Sequence, residues 1–207
     1  MANPLFDSLF GKHAGKSQVF LQLADGQTIT YADFLRMAAQ YANALTKFGL
    51  VPGDRLAVQI AKSPQALAVY AACAQAGVIF LPLNTAYTPE EVSYFVENSG
   101  ARLVLCDQAK HAGMAPVAKA CGAELATMNA DGSGTFADVA AGMPDSFATV
   151  DRTLDDLAAF LYTSGTTGRS KGAMLTQGNL LSNAETLVSE WQFTKDDVLL
   201  HALPIFH

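Results

Sequence analysis

Between Arg55 and Thr127 the sequence alternates between short apolar runs and helical periods, and this alternation limits the chain to very few folds. The apolar runs are Arg55 to Ile60, Val78 to Leu83, Leu103 to Cys106 and Glu124 to Thr127. Three helices fit between them, and each carries its own punctuation. Ser63-Pro64 opens the first in the favoured N-cap and N1 order, and Gly77 stops it. Thr88-Pro89-Glu90-Glu91 is a capping box with proline at the first helical position, and the second helix runs to about Ser99-Gly100. The third spans about Lys110 to Cys121. A β-α-β-α-β-α-β order with short connections implies a mostly parallel sheet covered by helices on its faces, an α/β fold.

The flanking segments are read in the same way. Phe20 to Leu23 and Thr28 to Thr30 form a short hairpin around Asp25-Gly26. Thr30 caps the next helix, with Asp33 in its first turn. Phe34, Met37, Ala38, Tyr41, Leu45 and Phe48 share one face, and Gly49 closes it. That stripe reads as core. Val51 to Asp54 is a turn. From 129 to 156 periodicity fades, which predicts a linker or peripheral loop with one short helix near Phe136 to Ala141. Leu157 to Leu161 and Ala173 to Leu175 are strands on either side of a loop. Thr176 caps a helix of about Gln177 to Trp191, and Val198 to Leu203 reads as a final strand closed by Pro204.

Composition narrows the class. The 207 residues are 50% hydrophobic and 15% charged, enough for a sizeable core. An acidic pI near 5.0 argues against a general nucleic-acid surface. Cys73, Cys106 and Cys121 show no CxxC spacing and lie among apolar residues, the pattern of reduced, buried thiols and a cytosolic protein. The N-terminus lacks a charged segment followed by a long apolar one, so no secretory signal is read. Ser63 to Pro89 carries no charge over a length that would span a bilayer. Gln65, Gln75, Asn84, Thr85, Gly77 and Pro82 interrupt it, however, and it reads as helix, turn and strand of a buried core rather than a membrane insertion.

The chemistry concentrates in Tyr162 to Gly172, YTSGTTGRSKG. Its eleven residues hold three glycines (Gly165, Gly168, Gly172) and five serine or threonine hydroxyls (Thr163, Ser164, Thr166, Thr167, Ser170), with Arg169 and Lys171 near the end. No acidic residue occurs between Asp156 and Glu185, although the chain's net charge is −6. Glycines bring backbone N–H groups close to an anion, hydroxyls add donors and lysine adds a point charge. A strand that opens into such a loop is suited to phosphate. Walker A fails: from Gly165 the sixth position is Ser170, and Gly172 follows Lys171. The dinucleotide pattern fails because no glycine stands two residues after Gly165. The Walker B likeness of Leu103 to Asp107 matches any buried strand ending in Asp, and Asp131 to Gly134 reads as a plain turn.

T-S-G-T-T-G-x-x-K-G closely resembles the phosphate loop of the adenylate-forming superfamily: acyl-CoA synthetases, firefly luciferases and nonribosomal peptide adenylation domains. Other segments resemble the same family. These are Gly49 to Arg55 (G-x-x-x-G-D-R), Ala76-Gly77 through Pro82-Leu83-Asn84, and Leu203 to His207. The likeness covers the chain after about residue 20, and the order of four motifs makes it far more specific than any one of them. It implies a two-step ligase. A carboxylate attacks the α-phosphorus of ATP, giving acyl-adenylate and pyrophosphate, and a thiol, usually of coenzyme A, then displaces AMP.

Carried onto this chain, the resemblance has Thr163, Ser164, Gly165, Thr166, Thr167, Gly168 and Lys171 holding the ATP phosphates. Lys171 acts catalytically by offsetting charge on the departing pyrophosphate. Thr163 becomes a candidate Mg²⁺ ligand, and His207 borders the carboxylate pocket, orienting the acid or closing the pocket; a structural His207 is the alternative. His201 reads as structural, and His13 and His111 as surface residues. The family often has proline where Ser170 stands, so this loop loses a fixed φ.

Family members are more than twice as long. Their downstream magnesium-binding acid, ribose-binding Asp, hinge and C-terminal lysine have no counterpart here. The resemblance therefore implies a partial N-terminal large domain. Residues of about 20–128 would be its βαβ-rich part, 129–156 a loop-rich connection, and 157–207 the phosphate loop and start of the acyl pocket. Such a chain would not adenylate without its C-terminal portion. Within the superfamily, NPLFDSLF and LLHALPIFH are most similar to malonyl-CoA synthetases, implying malonate or methylmalonate as substrate. None of the basic residues here can be assigned to a second carboxylate. A fatty or aryl acyl-CoA ligase is the alternative. A non-catalytic nucleotide-binding fragment or a kinase-like phosphoryl transferase is the reading from another class.

Overall fold

The computed structural model describes residues 3–163 and 170–206. Among them, six strands form one sheet: β3 (Arg55–Gln59), β4 (Ile79–Pro82), β5 (Leu103–Cys106), β6 (Glu124–Thr127), β7 (Leu157–Thr163) and β8 (Lys171–Thr176). Their spatial order is β6-β5-β3-β4-β7-β8. All neighbours are parallel except β7 and β8, which run antiparallel. The mostly parallel sheet flanked by helices is thus as expected. A separate antiparallel hairpin joins β1 (Val19–Gln22) to β2 (Thr28–Thr30).

Side-chain alternation along the central strands divides the core in two. Leu56, Val58, Leu103 and Leu105 face a layer made by α2 (Tyr31–Lys47), α3 (Pro64–Ala76) and α6 (Thr135–Ala141). Ala57, Val104 and Cys106 face the opposite layer, made by α4 (Pro89–Ser99) and α5 (His111–Cys121). Central strands buried on both faces explain why these runs are almost continuously apolar. A smaller cluster joins α1 (Pro4–Leu9) to the rest: Leu5 and Phe6 meet Ala74 and Ala158, with Leu180 and Leu181 of α7 (Gln177–Glu190) packed against them.

The helix punctuation works as read. Thr30 Oγ1 accepts the Asp33 N–H at 3.1 Å, and Ser63 Oγ accepts the Ala66 N–H at 3.1 Å. At α4 the box is reciprocal: Thr88 Oγ1 accepts the Glu91 N–H at 3.3 Å while Glu91 Oε2 accepts the Thr88 N–H at 2.8 Å. Gly77 and Gly100 end their helices in the left-handed region, at φ of 69° and 63°, where a side chain would be strained. Ser63 to Pro89 divides into α3 and β4, and among the described residues no helix is long and apolar enough to cross a membrane.

The stretch 129–156 is held tightly. Phe136 is fully buried, with its ring 5.6 Å from Tyr41 and 5.7 Å from Phe48. Val150 N–H donates to Gln75 O at 2.9 Å, and Arg152 Nη2 donates to Gly77 O at 3.1 Å. Cys73 and Cys106 are buried and Cys121 half-buried, all as free thiols. Burial raises the Cys73 thiol far above its usual range and pushes Cys106 up to about 11, so neither supplies thiolate at neutral pH. His13 lies at the surface, partly covered where its ring stacks on Tyr31 at 4.4 Å, and His111 is exposed.

One expected element does not form. Val198 to Leu203 is irregular and largely exposed, with Val198 at 91%. An apolar run becomes a strand only beside another strand, and among the described residues none pairs with it. Lys62 Nζ instead donates to His201 O at 2.8 Å and Leu203 O at 2.9 Å. His201 therefore lies in an exposed irregular segment rather than a strand.

Candidate phosphate-binding site

β7 runs parallel to β4 in the sheet interior and emerges at the carboxyl ends of the strands. Ligands of open α/β sheets bind at that end. β8 returns antiparallel, with Tyr162 opposite Gly172 and Thr163 opposite Lys171. The strand–loop–strand arrangement read from the sequence is therefore present, and Thr163 and Lys171 are the two stems of the loop. Both are exposed. Thr163 Oγ1 reaches Lys171 O only at 3.5 Å, a long contact that leaves the hydroxyl available to a ligand. Among the described residues no carboxylate pairs with Lys171. Ser164, Gly165, Thr166, Thr167 and Gly168 lie outside the described residues, as does His207.

The stems have a tight aromatic base. A Cβ at Gly172 would stand 2.4 Å from Phe160 Cε1 and 3.3 Å from Tyr162 Cε1, so only glycine lets β8 pass over these rings. Tyr162 leans on Phe95, centroid to centroid 4.5 Å, and its hydroxyl donates to Asn98 Oδ1 at 2.6 Å. Burial, and then the neighbouring Tyr94, push the Tyr162 phenol up to about 12; it remains a donor across the neutral range. Tyr94 Oη donates to Ser170 O at 2.9 Å. Beside β7 a small cleft of about 30 Å³ is lined by Pro82, Leu83, Asn84, Tyr87, Leu161, Tyr162 and Phe206. Phe206, next to His207, thus reaches the end of the sheet where the loop opens.

Tyr94 and Asn98 were not singled out by sequence reasoning. They stand one helical turn apart on α4, and the spacing is visible, but their partners lie 76 and 64 residues away. Local pattern carries no information at that range.

A family model described as AMP-binding enzyme matches residues 10–207. The chain belongs to the AMP-binding enzyme family. Among solved structures, ATP-bound MatB from Rhodopseudomonas palustris superposes with a TM-score of 0.95 at 50% identity, covering 100% of this chain and 41% of that one. A feruloyl-CoA synthase from an Amycolatopsis species is 37% identical over 182 residues, 88% of this chain and 35% of the relative. A fatty acid–[acyl-carrier-protein] ligase, ScoC, from Streptomyces coeruleorubidus is 33% identical over 190 residues, 89% of this chain and 36% of the relative. This member of the AMP-binding family thus spans well under half the length of those relatives.

Proposed function

We propose that this chain is the N-terminal portion of an acid–thiol ligase that activates a small carboxylate with ATP and passes it to coenzyme A. The observation that carries the reading is the loop. A glycine- and hydroxyl-rich segment follows the carboxyl end of β7 and leads to an exposed Lys171 that no carboxylate pairs with among the described residues, in a chain of the AMP-binding family. In the first half-reaction a carboxylate oxygen bonds to the α-phosphorus and the bond to the bridging oxygen breaks, releasing pyrophosphate. Ser164, Gly165, Thr166, Thr167 and Gly168 would donate to the β- and γ-phosphates, and the Lys171 ammonium would meet the charge that builds on the leaving group. In the second, the thiol sulfur attacks the acyl carbonyl and AMP departs.

Mg²⁺ fits one feature of the site. Thr163 offers a hard hydroxyl oxygen whose only bond among the described residues is long. No group of three metal-ligating side chains occurs among the described residues, so the ion would depend on phosphate oxygens and water, which is its usual habit. When bound, it would neutralise phosphate charge. His207 would border the acid's carboxylate. Residues of about 20–128 would form the scaffold, 129–156 the connection, and 157–207 the loop and the first part of the acyl pocket. The remaining portion of the enzyme would complete the pocket and supply the other reacting groups, and the chain alone would not adenylate.

For the acid, we favour malonate or methylmalonate, on the resemblance of the terminal segments to malonyl-CoA synthetases and the 50% identity to MatB. An aromatic acid is the second reading, favoured by the 37% identity to feruloyl-CoA synthase. Pyrophosphate exchange by the complete enzyme across malonate, methylmalonate, acetate, octanoate and 4-coumarate separates them. Malonate should give the highest kcat/KM. Strong exchange with a monocarboxylate and none with malonate would sink the dicarboxylate choice.

A further inference from the structure

Helix α4 touches both stems of the loop through two side chains one turn apart, the Asn98 amide and the Tyr94 hydroxyl. On the entry stem, Tyr162 Oη donates to Asn98 Oδ1 at 2.6 Å and approaches Phe95 O at 3.5 Å. On the exit stem, Tyr94 Oη donates to Ser170 O at 2.9 Å, the residue immediately before Lys171. The Tyr94 and Tyr162 rings meet edge to face with centroids 6.0 Å apart, so the two contacts form one cluster. We propose that Tyr94 and Asn98 are positioning residues for ATP, with α4 as the clamp that holds the two ends of the phosphate loop in register. This rests on the ligase reading above.

Three observations support a clamp rather than incidental packing. First, the exit stem has a strand neighbour on one side. β8 is an edge strand, and β7 alone pairs with it among the described residues. The Thr163 hydroxyl reaches Lys171 O only at 3.5 Å and so adds little to the strand pairing between the stems. Second, α4 is fixed at both ends. The reciprocal Thr88–Glu91 box secures its start. At its end Arg55 Nε donates to Ser99 O at 2.7 Å and Arg55 Nη2 to Gly100 O at 2.9 Å. Val92, Phe95 and Val96 bury its inner face. A rigid element is what gives a loop defined geometry. Third, Ser170 stands where proline would have fixed φ, so its backbone needs an external restraint, and the Tyr94 hydroxyl is bonded to that residue's carbonyl. Fixing the two stems in advance reduces the ordering cost when triphosphate binds, so the benefit falls on ATP rather than on the acid or the thiol.

The test uses the complete enzyme and three variants. Tyr94→Phe keeps the ring and removes one hydroxyl. Asn98→Leu removes the acceptor on an exposed residue. Asn98→Asp keeps an acceptor oxygen at the same place. The loss of one such hydrogen bond corresponds to a change of about two- to tenfold. The KM for ATP in pyrophosphate exchange, and the Kd for ATP by calorimetry, should rise by about that factor for Tyr94→Phe and for Asn98→Leu. The KM for the acid should stay within about twofold, and Asn98→Asp should lie near the unaltered enzyme. The proposal is overturned if ATP affinity stays within twofold in both Tyr94→Phe and Asn98→Leu. It is equally overturned if the constants for ATP, acid and thiol all worsen together with a fall in Tm, because that is general destabilisation. If the unaltered enzyme neither binds ATP nor exchanges pyrophosphate with any acid, the ligase reading itself has failed, and the failing arm identifies it.

Discussion

Lys171→Ala in the complete enzyme is expected to slow formation of the acyl-adenylate by about 10²–10³-fold. The ammonium is exposed, stands at the first residue of β8 and has no carboxylate partner among the described residues, so its charge is not spent on structure. In the proposed first half-reaction negative charge would move onto pyrophosphate as the bond to the α-phosphorus breaks, and a cation there would stabilise the transition state more than the ground state. The second half-reaction starts after pyrophosphate has left. Supplied with acyl-adenylate, the variant should form thioester at close to the normal rate. Single-turnover measurement of each half-reaction checks this, and equal slowing of both would contradict the role given to Lys171. Because the residue is exposed on an edge strand, its loss should hardly alter the fold.

Phe136→Ala should destabilise this chain by about 3–5 kcal/mol. The side chain is fully buried between Tyr41 and Phe48, in the layer that covers one face of the sheet. Truncation removes a large apolar surface and leaves a cavity that the two flanking rings cannot fill without moving. α6 is short, seven residues, and it starts at Gly134 with φ of 125°. Its position therefore depends on this anchor rather than on intrinsic helicity. Urea unfolding followed by circular dichroism gives the number. A cost below about 1 kcal/mol would mean that α6 rides on the core without contributing to it.

What was legible in the sequence was mostly what is decided within a few residues. Ser63, Pro64 and Gly77, or Thr88, Pro89, Glu91 and Gly100, define helix ends through bonds to near neighbours, and those ends appear where the residues place them. β5 and β6 likewise match the apolar runs Leu103 to Cys106 and Glu124 to Thr127. The order β6-β5-β3-β4-β7-β8 was not legible, because every buried strand looks alike to its neighbours in sequence. Val198 to Leu203 shows the same limit. Its apolar character says that it favours burial but not against what, and no strand lies beside it among the described residues. Phe136 reads as one apolar residue in a glycine-rich stretch until its two ring partners are in view.

The candidate site divides along the same line. The loop from Tyr162 to Gly172 is a local motif, and its spacing was enough to reject the Walker and dinucleotide patterns. That Thr163 and Lys171 stand opposite each other follows from strand pairing, which the strand–loop–strand reading anticipated. The hold of Tyr94 on Ser170 O, and of Asn98 on Tyr162, crosses between a helix and a hairpin far along the chain, and only the folded arrangement reveals it.

The central claim is that this loop grips the pyrophosphate side of ATP in an acid-activating ligase. It is tested most directly by the nucleotide products of the complete enzyme incubated with ATP, malonate and coenzyme A. The account predicts AMP and pyrophosphate, each equal in amount to the thioester formed. Production of ADP and orthophosphate instead would contradict it.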